Sequence, residues 1–122
     1  MKVFIGGELE QSISDKFRKA RNSVIESMNC LYDISCIDEL SFYVFCMKGF
    51  ITNPVNRYSK KRNRIELEIL LSYDRFEAAN ETQCIDILKQ SIFNAIENYK
   101  NKNIPQQYID EIIERIKISI ND

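Results

Sequence analysis

Between Arg64 and Tyr73 the chain reads Arg-Ile-Glu-Leu-Glu-Ile-Leu-Leu-Ser-Tyr, and this alternation constrains the fold more than any other stretch. Successive side chains of an extended strand point to opposite faces. Ile65, Leu67, Ile69, Leu71 and Tyr73 therefore share one side while Arg64, Glu66, Glu68 and Ser72 share the other, with Leu70 alone breaking the polar row. A strand greasy on one face and wet on the other is expected in an antiparallel sheet that packs on a core from one side. Something must cover the apolar face.

Three stretches carry the periodicity of helices able to do so. Ile13, Phe17, Ala20, Val24 and Met28 fall in one stripe and predict a helix from about Ser12 to Asn29. Ser12 with Asp15 three residues on forms a loose capping box, worth about 1 kcal/mol, and Lys16, Arg18, Lys19 and Arg21 give this helix a basic outer side. Asn80 with Gln83 marks a second helix start, followed by a stripe of Ile85, Leu88, Ile92, Ile96 and Tyr99 widened by Ile87 and Phe93. Lys100 to Asn103 interrupts the pattern. Pro105 then opens a third helix carrying Ile109, Ile112, Ile113, Ile116 and Ile120.

Lys2 to Ile5 predicts a first strand, which Gly6-Gly7 ends by permitting backbone angles that other residues resist. Cys30 to Asp38 reads as a connection. Glu39 to Lys48 is apolar on both sides, with Leu40, Phe42, Val44 and Cys46 opposite Tyr43, Phe45 and Met47. It predicts an interior strand whose second face needs a cover from this chain or from a partner. Gly49 to Asn63 reads as a long hairpin connection holding the densest basic patch, Arg57, Tyr58, Ser59, Lys60, Lys61, Arg62 and Arg64. The expected architecture is α+β: a two-layer sandwich of about three mainly antiparallel strands with three helices on one face.

At 122 residues, 44% hydrophobic and 29% charged, the chain fits one globular domain spanning 1–122. The net charge of -1 hides an uneven distribution: residues 51–75 hold six basic and three acidic side chains, residues 76–122 five basic and eight acidic. Only three apolar residues follow Lys2 before the glycines, too few for the core of a signal peptide, and no run approaches a spanning helix. A cytoplasmic location is expected. Cys30, Cys36, Cys46 and Cys84 show no paired metal-ligand spacing, and with no histidine in the chain they read as reduced, buried thiols.

The same absence of histidine removes the Ser-His-Asp and Cys-His arrangements. With only three glycines, no phosphate-cradling loop can be assembled. Glu66 and Glu68 are paired carboxylates on one strand face, compatible with a divalent cation or with hydrolysis, but an exposed Glu-Arg face is more commonly just solvated. No enzyme, cofactor or metal site is expected. Tyr58 among Arg57, Lys60, Lys61 and Arg62 raises a nucleic-acid-binding module as an alternative, with one stacking ring and several phosphate contacts. A structural or adaptor domain is the blander alternative.

Several short motifs add a family resemblance. The first strand runs straight into Gly6-Gly7-Glu8-Leu9, the first helix carries Arg18-x-x-Arg21-Asn22, and Tyr58-Ser59-Lys60-Lys61-Arg62 leads into a strand ending Tyr73-Asp74-Arg75-Phe76. In these features the chain resembles, over nearly its whole length, the small α+β immunity proteins of bacterial polymorphic-toxin and contact-dependent inhibition systems. The resemblance implies a non-enzymatic cytoplasmic protein, made beside a toxin, that binds the toxin's C-terminal domain one-to-one and occludes it. From the habits of that family the toxin is expected to be a nuclease. On this reading Glu8, Glu10, Arg57, Tyr58, Lys60, Lys61, Arg62, Glu66 and Glu68 are the candidate toxin-binding residues. Tyr and Arg are favoured anchors of interfaces.

Overall fold

The computed structural model describes residues 1–48, 54–99 and 104–121. In chain order its elements are β1 (Lys2–Gly6), α1 (Gln11–Ser27), a 3-10 turn (Met28–Leu31), β2 (Glu39–Met47), β3 (Asn56–Ser59), β4 (Arg64–Ser72), α2 (Tyr73–Ala78), α3 (Glu81–Glu97) and α4 (Gln106–Asn121). The part of the long connection at residues 49–53, the interruption at 100–103 and the side chains of Met47 and Ile120 lie outside the described residues.

The sheet is four-stranded with order β1-β2-β4-β3. β1 pairs with β2 and β2 with β4 in parallel, and only β3 runs antiparallel, against the first half of β4. The expectation of about three mainly antiparallel strands is corrected on both counts. Parallel strands usually read as continuous apolar runs because helices cover both of their faces. Here helices cover one face, so β4 alternates despite its parallel neighbour: the pattern reports how many faces are buried, not the direction of pairing. β3 is short and polar and sits inside the stretch expected to be loop. The hairpin is β3–β4, and the connection from β2 to β4 is not one.

One core holds the inner sheet face and the helices together. Leu40, Phe42 and Val44 of β2, with Ile65, Leu67, Ile69 and Leu71 of β4, join Ile13, Phe17, Ala20 and Val24 of α1, Leu88, Ile92 and Ile96 of α3, and Ile109, Ile112 and Ile116 of α4 in a single buried cluster. Each such side chain contributes roughly 1.5–3 kcal/mol by leaving water. The predicted stripe of α1 is buried as expected, and on α4 Ile109, Ile112 and Ile116 are buried while Ile113 is half-buried. On α3 the buried line runs through Cys84 rather than Ile85, which is half-buried beside it.

Local signals settle the helix starts. Gln83 donates its amide to Asn80 Oδ1 at 2.8 Å while Asn80 donates its own to Gln83 Oε1 at 2.9 Å, a reciprocal capping box that opens α3. The expected box at Ser12 does not form. α1 begins one residue earlier behind Glu10 with no side-chain cap, and the Ser12 hydroxyl instead shares a 2.6 Å hydrogen bond with the Tyr73 hydroxyl. α2, absent from the expected count of helices, starts where Ser72 Oγ accepts from the Arg75 amide at 3.4 Å. The strand periodicity carries through Tyr73 because that residue stays buried after the chain has turned helical.

Gly6 and Gly7 are needed for space rather than for unusual backbone angles. A Cβ on Gly6 would come within 2.7 Å of the Phe4 ring, and one on Gly7 would run into the Val44 carbonyl. All four cysteines are free, and Cys84 is buried as expected. Cys36 and Cys46 are half-buried and Cys30, in the 3-10 turn after α1, is exposed, which corrects the expectation that every thiol is buried.

Candidate functional site

The outer face of the sheet is the surface that the helix layer leaves uncovered. Pairing fixes its rows. Lys2, Glu39, Arg64 and Ser59 lie side by side in the first, Phe4, Ser41, Glu66 and Arg57 in the second, and Gly6, Tyr43 and Glu68 in the third, beyond which Phe45 pairs with Leu70. The face divides across these rows into two chemically distinct halves.

The lower half is a closed polar network. Ser41 is 0% exposed although it points away from the core, and its hydroxyl donates to Glu39 Oε1 at 2.8 Å. Arg64 pairs with Glu66 and reaches Glu39 at 3.8 Å. The hydrogen bond to Glu66 is the main reason that the Arg64 guanidinium is pushed above its ordinary pKa. The Arg64 charge is met from within by Glu39 and Glu66, although its Nε is buried without a hydrogen-bond partner.

The upper half is apolar and open. Phe4 is 48% exposed, Phe45 44% and Val55 42%. The Phe4 ring lies in the space left by Gly6 and leans toward Tyr43, with centroids 6.1 Å apart and planes at 59°, a tilted arrangement that aromatic pairs favour. Beside them Tyr43, Val55, Arg57, Glu66 and Glu68 line a depression of about 240 Å³. Glu68 is fixed there by β3's approach: its Oε1 accepts from the Val55 amide at 2.9 Å, and its own amide donates to the Val55 carbonyl at 3.0 Å. Among the described residues Glu68 has no basic partner.

Of the residues singled out in the sequence, the structure brings Arg57, Glu66 and Glu68 together around this depression. Tyr58 goes elsewhere. It alternates to the inner face, packs partly buried against the core and donates its hydroxyl to Asn63 Oδ1 at 3.1 Å, so its ring does not join the basic side chains on the open face. Lys60, Lys61 and Arg62 are exposed in the turn before β4.

Asn63 anchors that turn with φ at 49°, a left-handed conformation that asparagine tolerates better than most residues. Its amide side chain donates to the Cys36 carbonyl at 3.0 Å, and its own carbonyl accepts from the Asp38 amide at 2.9 Å. Glu8 and Glu10 lie at the other end of the sheet, because β1 runs parallel to β2 and β4 and they follow its far end. Glu10 pairs with Lys48 just past β2 at 3.3 Å. This contact raises the Lys48 amine above its usual pKa while the amine sits 4.4 Å from the centre of the Tyr73 ring.

Phe4, Tyr43, Phe45 and Val55 are the members of the face that the strand-centred sequence reading did not assign. The signal for Tyr43 and Phe45 was present in the two-sided apolar run of β2. For Phe4 it was not, since a lone aromatic in a five-residue strand does not reveal its side until pairing is known.

Among the described residues no cluster of side chains suits a metal ion, and no helix is long and apolar enough to cross a membrane. The helices cover one face of the sheet, while Phe4, Phe45 and Val55 are exposed on the other. The sequence model of one family, immunity protein 44 (Imm44), matches residues 1–122, and the chain belongs to that family. Comparison with curated proteins and with solved structures gives no match.

Proposed function

We propose that this chain neutralises a toxin domain encoded beside it by binding one-to-one through its open sheet face and occluding the toxin, without catalytic activity of its own. The observation that carries this reading is the one-sided helix layer, which leaves Phe4, Phe45 and Val55 exposed on a sheet rigidified from behind. Membership of an immunity family supplies the class of partner. Action in the cytoplasm and a nuclease as target follow from the resemblance to immunity proteins of polymorphic-toxin systems.

Size decides how much surface must take part. Nine-residue β2 and β4 span about 30 Å, and four strands cover roughly 15 Å between outer axes. That projects to roughly 450 Å², below the ~800 Å² that each partner of a stable complex usually buries. The rim must contribute. Arg57 adjoins the face directly, Lys60, Lys61 and Arg62 extend it at one end, and Glu8 and Glu10 extend it at the other. Charges of opposite sign at the two ends orient a partner on approach within the reach of about 10 Å that salt allows.

Co-expression with the adjacent toxin domain tests the proposal. The expected outcome is restored growth of a toxin-producing host and a one-to-one complex on size-exclusion chromatography. Growth arrest with no complex overturns it.

A further inference from the structure

Resting on the toxin-binding reading above, we infer that the toxin docks on the upper half of the open face, where Phe4, Tyr43 and Phe45 take an apolar side chain and Glu68 takes a lysine or arginine.

Three observations separate this half from the rest of the surface. The polar network below it is internally paired, so a partner binding there would have to break the contacts of Arg64 with Glu39 and Glu66. The other strongly exposed apolar residues, Tyr32 and Ile118, stand apart from the open face, on the segment after the 3-10 turn and on α4. On the upper sheet face two exposed aromatics from separate strands, Phe4 and Phe45, lie with Tyr43 around a carboxylate that lacks a basic partner among the described residues, whereas Tyr32 is a single exposed ring beside Asp33.

The Phe4 ring is also held in place before a partner arrives. Gly6 leaves the space it fills, and Tyr43 meets it at a tilt. An aromatic packed on one side by neighbours has less side-chain freedom left to lose on binding, and a few such anchors carry most of an interface's energy.

The cationic part of the partner follows from charge. The depression beside the aromatics holds the carboxylates of Glu66 and Glu68 and the guanidinium of Arg57, with Glu66 already paired to Arg64. Glu68 keeps one carboxylate oxygen for an incoming donor, since the other accepts from Val55. A lysine or arginine matches this site because its methylene stem packs along Tyr43 and Val55 while its charged end reaches Glu68.

Titration calorimetry of the purified chain with the toxin domain, each variant checked for native circular dichroism, tests the inference. Phe4→Ala is expected to weaken binding at least 30-fold, the effect of losing an anchor. Gly6→Ala is expected to weaken it roughly 10-fold with little change in thermal stability, because the added methyl displaces a movable ring and no backbone. Glu68→Gln is expected to weaken binding and flatten its dependence on salt, whereas Ile118→Ala on α4 is expected to leave affinity unchanged.

Tight binding of the wild-type chain with Phe4→Ala and Gly6→Ala both within twofold of it overturns this inference and leaves the immunity reading standing. Absence of wild-type binding overturns both. A concentration-dependent dimer that Phe4→Ala abolishes without affecting toxin binding reassigns the patch to a second copy of this chain.

Discussion

The two faces of this sheet are made from the same strands, yet they pack by different rules. On the inner face Phe42 and Leu67 are buried among helix side chains, and their neighbours fit around them. On the outer face Phe45 and Leu70 sit in register, with Phe45 44% exposed and Leu70 half-buried. Burial inside the core stabilises the fold, whereas the same residue types outside contribute to it only through partial contact. An exposed aromatic that does little for the fold is free to be kept for another purpose.

The contrast between faces is most directly broken by mutation. Phe42→Ala is expected to cost about 3–5 kcal/mol in urea unfolding, while Phe45→Ala is expected to cost less than about 1 kcal/mol. Equal losses would mean that the outer face belongs to the core after all. The next largest effect is expected at Asn63, which supports the outer face from one end. Asn63→Ala loses the bonds to Tyr58 and Cys36 and forces alanine into a left-handed conformation, for an expected cost of about 1–3 kcal/mol. Asn63→Gly relieves the backbone part, so its unfolding midpoint is expected to lie between alanine and wild type.

Ser41 sharpens the comparison because it is buried on the open side. Ser41→Ala removes its donation to Glu39 and is expected to cost about 1 kcal/mol, a loss that thermal melts would resolve from the near-silent Phe45→Ala.

The smallest effect concerns pH. Burial is the largest cause raising the thiols of Cys36, Cys46 and Cys84 above their ordinary 9.0. A raised folded pKa means the unfolded chain ionises first. The stabilisation is therefore complete below pH 9 and lost as pH rises through the folded values. The melting temperature is expected to drop above pH 9, and to drop less in a Cys36→Ala/Cys46→Ala variant.

Much of this architecture was legible in the sequence, because helical and strand periods are direct records of burial. The stripes of α1, α3 and α4, the inner face of β4 and the capping box at Asn80 were all visible there. Pairing direction was not, since alternation in β4 records a single covered face whichever way its neighbours run. β3 was invisible because Asn-Arg-Tyr-Ser has no apolar alternation and is held by β4's backbone. For the candidate site, Glu66 and Glu68 could be assigned to a face from β4 alone, whereas Arg57 could not, because its strand was not visible. The aromatic half could not be assembled until the register of β1 on β2 brought Phe4 beside Ser41 and Gly6 beside Tyr43.

The position of β4 also sets a timetable. It lies between β2 and β3 although the chain reaches it last among the strands, so the sheet cannot close until synthesis has passed Ser72. A nascent chain ending at Met47 holds β1 and β2 with one edge bare, and the helices that seal the back of the sheet through α3 and α4 have yet to follow. The β3–β4 hairpin is local and forms within about 1–10 μs, but the parallel pairings close longer loops and are intrinsically slower. On the proposed occlusion reading, protection starts only after the whole sheet has been translated and folded, and a cell that made toxin and antidote together would need finished antidote in reserve.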